Sequence, residues 1–196
     1  MKPGRPAPDL PIRLFQDEKA WAEWLEKHHR SSTGIWLRLA KKGSALRSIS
    51  YAEALDCALC YGWIDGQKKP ESNDTWLQKF VSRSSRSIWS KINRAKAVKL
   101  IASGRIKAAG LKAIEHAKKS GRWETAYDSP SRATVPPDFQ RALDASPSAR
   151  TFFESLESRN RYAILFRIQT VKKPETRARK IVQFIAMLER QEKFHP

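Results

Sequence analysis

Every candidate strand in this 196-residue chain lies between residues 34 and 83, and from Ser87 onward the pattern is helical, broken only by glycine and proline. That change of period limits the fold more than any other feature. "GIWLRLAKK" (34 to 42) sets Ile35, Leu37 and Leu39 against Trp36, Arg38 and Ala40, the alternation of a strand with one buried face. "WIDGQKK" and "TWLQKFVSR" are two further short strand candidates, separated by the turn-forming "PESND". Together they predict an α+β chain, predominantly helical, with a small antiparallel sheet in the N-terminal half packed by helices and an all-helical C-terminal half.

Local stop and start signals place the helices. Asp17 caps a helix over residues 18 to 29, with Trp21, Trp24, Leu25 and His28 on one face. Ser50 and Glu53 form a capping box for "YAEALDCALCYG", which ends at Gly62, and later helices stop at Gly104 and Gly121. After an irregular stretch from 124 to 137, "DFQRALDAS", "SARTFFESLESRNRYAILFRIQTV" and "PETRARKIVQFIAMLER" read as helices. The second breaks near Ser158, which can cap a new helix, and the third opens on Pro174. Residues 1 to 13, with Pro3, Pro6, Pro8 and Pro11, predict a flexible arm, and "QEKFHP" predicts a fraying end. The expected organisation is therefore an arm (1–13), an α+β core (14–123), a connection (124–137) and a helical region (138–196) packed on the core as one domain.

A hydrophobic content of 40% with 7 Trp excludes a disordered chain. The 38 Lys and Arg against 20 Asp and Glu give a net charge of +18, a field that attracts nucleic acid, phosphate ligands or an anionic membrane surface. A basic but merely solvated surface is the other reading. Residues 79 to 122 alone hold thirteen Lys or Arg and one acid, Glu115. No run approaches the ~18 apolar residues of a transmembrane helix. The first residues lack an apolar secretory core, which predicts a cytoplasmic protein.

Four features could carry chemistry. Cys57 and Cys60 lie at the C-terminal end of a helix, where the dipole does not favour a thiolate, and no further Cys or His ligands have metal spacing. They read as packing residues, with no metal and no cofactor expected. Asp65 follows an aromatic stretch and precedes Gly66: Asp-Gly is a hairpin signal, and a ligand-facing carboxylate is the rival. In "FVSRSSRSIWSKIN", Arg83, Arg86, Ser87, Trp89, Ser90 and Asn93 gather at an expected helix start, where an anion would be favoured and Trp89 could stack on a ring. The opposing reading makes Ser87 an N-cap and Trp89 core. Thr176, Arg177 and Arg179 occupy the first turns of the last helix, so something negative should lie close. No catalytic signature such as GxxxxGK[ST], HExxH or GxSxG occurs.

"YAEALDCALCYGWIDGQKK", "FVSRSSRSIWSKIN", "LIASGRIKAAGLKAIEHAKKSGRW" and "NRYAILFRIQTVKKPETRARKI" resemble, in order and spacing from about Phe15 to Arg190, the bacterial YdeI/OmpD-associated family, also labelled bacteriocin-protection proteins. The resemblance implies a role in stress or bacteriocin protection and carries over Trp63, Asp65, Arg83, Ser87, Trp89, Ser90, Asn93, Thr176 and Arg177 as signature positions. Where the family pattern reads Phe-x-Pro-Arg, this chain has Ser82 before Arg83. Two functions follow as expectations. One is a non-catalytic binding protein for an anionic ligand or nucleic acid, contacting it through Arg83, Arg86, Trp89 and the Arg177 segment. The other is an enzyme using Asp65 as acid or base on a phosphorylated or carboxylated substrate.

Overall fold

In the computed structural model, which describes residues 10–171 and 173–196, the chain forms two compact units. The first comprises Met1–Ser87 with Asn93–Trp123, and the second comprises Ile88–Ile92 with Glu124–Pro196.

The first unit carries strands β1 (Ile12–Leu14), β2 (Ile35–Ala40), β3 (Trp63–Pro70) and β4 (Thr75–Ser82), with helices α1 (Glu18–His28) and α2 (Tyr51–Cys60) between the early strands. Helices α3 (Lys91–Ala102), whose first two residues belong to the second unit, and α4 (Ala108–Lys119) follow. The sheet order is β1-β2-β4-β3. β4 runs antiparallel to both β2 and β3, whereas β1 runs parallel to β2. The expected purely antiparallel sheet is thus corrected to a mixed one. The physical reason lies at Pro11. Proline lacks the N–H but keeps its carbonyl, and Pro11 O accepts from Trp36 N at 2.9 Å, so an edge strand starts as soon as the prolines end. Ile12 and Arg13 therefore belong to the sheet rather than to a flexible arm. Residues 1–9 of that predicted arm lie outside the described residues.

The local signals act as read. Asp17 caps α1 by accepting from Ala20 N at 2.9 Å, and Ser50 with Glu53 closes a capping box on α2. Gly62, Gly104 and Gly121 sit at φ 72, 69 and 68°, the left-handed conformation that ends a helix at little cost only for glycine. Asp65 and Gly66 do not turn. They lie inside β3, where the register against β4 shifts between Asp65 and Lys68, so the glycine marks a bulge and the reversal falls at residues 71–74.

The core of this unit is aromatic. Trp21 stacks on Trp24 with ring centroids 5.3 Å apart, meets Trp63 edge-on at 6.4 Å, and contacts Phe15 and Phe80. Cys57 and Cys60 are buried free thiols on α2. Burial, reinforced by each other's proximity, pushes the Cys57 thiol up to about 12, and burial likewise raises Cys60, so both stay protonated packing groups at neutral pH. Backbone meets backbone where α2 ends: Cys60 O accepts from Lys107 N at 3.0 Å, and Gly110 of α4 lies against the same carbonyl.

The second unit is built from α5 (Pro137–Asp144), α6 (Pro147–Ser155), α7 (Ser158–Gln169) and α8 (Pro174–Glu189) around Phe139, Leu143, Phe153, Ile164, Ile168, Phe184 and Leu188. Ser158 is the first residue of α7 and Glu157 its N-cap, one position from the expected cap. The predicted fraying end is instead pinned. Asn160, buried on α7, donates to His195 O at 3.2 Å and accepts from His195 N at 2.9 Å, while Phe194 meets Phe184 edge-on and lies under the Arg167 guanidinium. Among the described residues no helix is long and apolar enough to cross a membrane.

Candidate anion-binding surface

The ten residues singled out from sequence divide between the two units. Trp63, Asp65, Arg83, Arg86, Ser87 and Asn93 belong to the first, and Trp89, Ser90, Thr176 and Arg177 to the second.

Trp63 is fully buried and its indole N–H donates to His29 O at 3.1 Å, so it is a pillar of the core. Asp65 pairs with Phe80 across the sheet and accepts the Tyr51 hydroxyl at 2.8 Å. Arg83, Arg86 and Ser87 come together in one tight turn. Arg83 N donates to Gly62 O at 3.0 Å, Ser84 N to Ser87 Oγ at 3.0 Å, and Ser87 N to Ser84 O at 3.1 Å. His116 of α4 bonds Ser85 O at 3.2 Å, and the Arg86 side chain stands exposed at the turn's tip. Helix α3 begins only at Lys91, so Ser87 closes a turn and does not cap a helix.

Trp89 is 2% exposed, which removes it as a stacking platform. Its carbonyl accepts from Tyr127 N at 2.9 Å, and Lys91 N donates to Tyr127 O at 2.8 Å, so Ser90 pairs with Tyr127 as a short bridge. Asn93 is half-buried on α3, and Thr176 half-buried on the first turn of α8.

The negative group expected beside α8 is Asp138. Arg177 grips it in a fork, Nε to Oδ2 at 2.6 Å and Nη2 to Oδ1 at 2.9 Å, and its Nη1 donates to Ile168 O at 2.7 Å. The hydrogen bonds from Arg177 hold the Asp138 carboxyl below the usual carboxylate range. Arg177→Ala is expected to cost about 1–2 kcal/mol at pH 7, discounted because both side chains are partly exposed. A depressed carboxylate stabilises fully above its unfolded value near 4 and ceases to as pH falls through the lower folded value. Urea melts of the two proteins should therefore differ at pH 7 and converge towards pH 2. An equal gap at both pH values would assign the loss to packing.

A second basic group was not read from sequence. On β2 and its neighbours, Trp36, Lys79, Lys69 and Leu77 share one sheet face through the pairs Trp36↔Lys79 and Lys69↔Leu77. The Lys69 and Lys79 ammonium groups lie 4.6 and 5.9 Å from the Trp36 ring centroid, and Lys68 lies 4.2 Å from that of Trp76. The usable signal was the recurrence of Trp and Lys in "IWLRLAKK" and "QKKPESNDTWLQK", which forms a cluster only once the register is known.

Most acids of this unit are engaged elsewhere. Glu71 accepts Arg38 and the Thr75 hydroxyl, Asp56 pairs with Lys96 at 2.5 Å, Glu18 pairs with Arg105, and Glu26 accepts the Tyr61 hydroxyl at 2.9 Å. Among the described residues no ion pair reaches Lys68, Lys69 or Lys79 on the sheet, or Lys99, Lys107, Lys112 or Lys119 on and between α3 and α4. No group of three or more His, Cys, Asp or Glu among the described residues could hold a metal ion.

Residues 13–113 match the family model described as a domain of unknown function (DUF8412), which takes in more than half of the chain. Residues 132–191 match the model described as "Bacteriocin-protection, YdeI or OmpD-Associated". The likeness read from Phe15 to Arg190 is thereby supported over its C-terminal part, and the earlier motifs fall within the other model. No curated protein and no solved structure matches the chain.

Proposed function

Because the chain belongs to the DUF8412 family and carries a C-terminal segment like the YdeI or OmpD-associated bacteriocin-protection family, we propose a binding role without chemistry, in that protective setting. The ligand is a polyanion, with single-stranded nucleic acid the leading class, and the first unit supplies the surface. One observation carries this reading. Most carboxylates of that unit, among them Glu18, Glu26, Glu53, Asp56, Asp65 and Glu71, are held by arginines, a lysine, hydroxyls or a helix cap, while Lys68, Lys69, Lys79, Lys99, Lys107, Lys112 and Lys119 have no ion pair among the described residues. Uncompensated lysines on one unit repel each other, and a phosphate backbone relieves that repulsion while releasing its own counterions. Arg86, exposed on its serine turn, adds a donor suited to phosphate.

The test is fluorescence anisotropy with a labelled oligodeoxynucleotide across about 50 to 200 mM salt. Affinity should fall steeply with salt. Lys68→Glu/Lys69→Glu/Lys79→Glu should weaken binding at low salt by on the order of a hundredfold and flatten the salt dependence. Absence of binding at about 50 mM salt would sink the proposal.

A further inference from the structure

We infer that the cleft between the end of β2 and the β3–β4 hairpin is a nucleotide subsite, a deepening that rests on the polyanion reading. Ala40, Lys41, Lys42, Lys68, Pro70 and Trp76 line an open cleft of about 550 Å³ there. A backbone phosphate lying across a surface needs charge but no cavity; a volume within the usual range for small-molecule sites leaves room for an inserted group.

The lining specifies that group. Three of the six residues are lysines, and none is an acid. Two carboxylates of the neighbouring strand and turn are already held, Glu71 by Arg38 at 2.8 Å and Asp65 by the Tyr51 hydroxyl at 2.8 Å, and Asp74 of the hairpin turn is not part of the lining. The occupant must therefore bring its own negative charge. The apolar wall is the half-buried Trp76 indole, steadied by the Tyr51 ring with centroids 6.0 Å apart, together with Pro70 and Ala40. That wall calls for a flat ring. In the free protein the Lys68 ammonium occupies the indole face at 4.2 Å, and Lys41 Nζ donates to Ser72 O at 2.7 Å. A base stacking on Trp76 takes the place of Lys68, which turns to the phosphate beside Lys42. Ring plus phosphate is the chemistry of one nucleotide, either free or splayed out of a single strand.

The full chain, labelled with 15N, is titrated with 2′-deoxyadenosine 5′-monophosphate, with a deoxyadenosine hexamer and with inorganic phosphate. The expected result is movement of the Trp76 indole N–H and of the Lys41, Lys42 and Lys68 amides with a nucleotide probe. Lys42→Ala/Lys68→Ala, changes at two exposed side chains, should weaken that response about tenfold. A response to the monophosphate identifies a free nucleotide as ligand; a response to the hexamer alone identifies a splayed base. Hexamer binding that leaves the cleft signals in place overturns the subsite and spares the polyanion reading. Phosphate acting as well as the monophosphate also overturns it, and silence with every probe removes both readings.

Discussion

Trp21→Ala is expected to lower the stability of the first unit by about 3–5 kcal/mol, a large share of the roughly 5–15 kcal/mol typical of a whole domain. The indole is 0% exposed and touches Phe15, Trp24, Trp63 and Phe80, so α1 and both faces of its contact lose their common partner. Its N–H also donates to Ala54 O at 3.1 Å, the link between α1 and the first turn of α2. Truncation leaves a cavity that stiff aromatic neighbours close poorly. Trp21→Phe keeps most of the buried area and should cost much less, which guards against a variant that does not fold. Urea unfolding of both variants measures the difference. A loss below about 1 kcal/mol for the alanine would contradict the packing of α1 on the sheet.

Gly110→Ala is the second large effect, and its sign is the informative part. In an open helix interior this change stabilises by about 0.5–1 kcal/mol. Here a Cβ would stand 2.4 Å from Cys60 O and 2.9 Å from both Cys60 C and Leu59 O. All three are backbone atoms at the end of α2 and cannot rotate away. Either α4 shifts, weakening the bond from Lys107 N to Cys60 O, or the strain is retained; a cost of about 1–3 kcal/mol or more follows. A raised urea midpoint would show that the two helices do not approach so closely.

What the sequence disclosed was local. Caps at Asp17 and Ser50 and stops at Gly62, Gly104 and Gly121 depend on residues within one turn of each other, and each is found in place. What it hid was non-local. The parallel partner of β2 lies across a whole helix, and three residues after a proline carry little pattern of their own. Asp65-Gly66 has the composition of a turn, but the pairing of β3 with β4 turned it into a bulge. The same limit applies to the site. Arginines and tryptophans can be counted in a string, but which segment Trp89 pairs with and whether Arg177 already holds an acid depend on Tyr127 and Asp138, far along the chain. Lys69 and Lys79 share one tryptophan only because the register of β2, β4 and β3 aligns them.

The five residues Ile88–Ile92 belong to the second unit although the chain on either side belongs to the first. No single cut can therefore separate the two modules cleanly. A gene break after Trp123 would strand Trp89 and Lys91 on the wrong fragment and sever the Tyr127 N to Trp89 O bond and the Lys91 to Asp128 ion pair. Recombination that moves one module without the other meets the same obstacle, set by a short detour of the backbone.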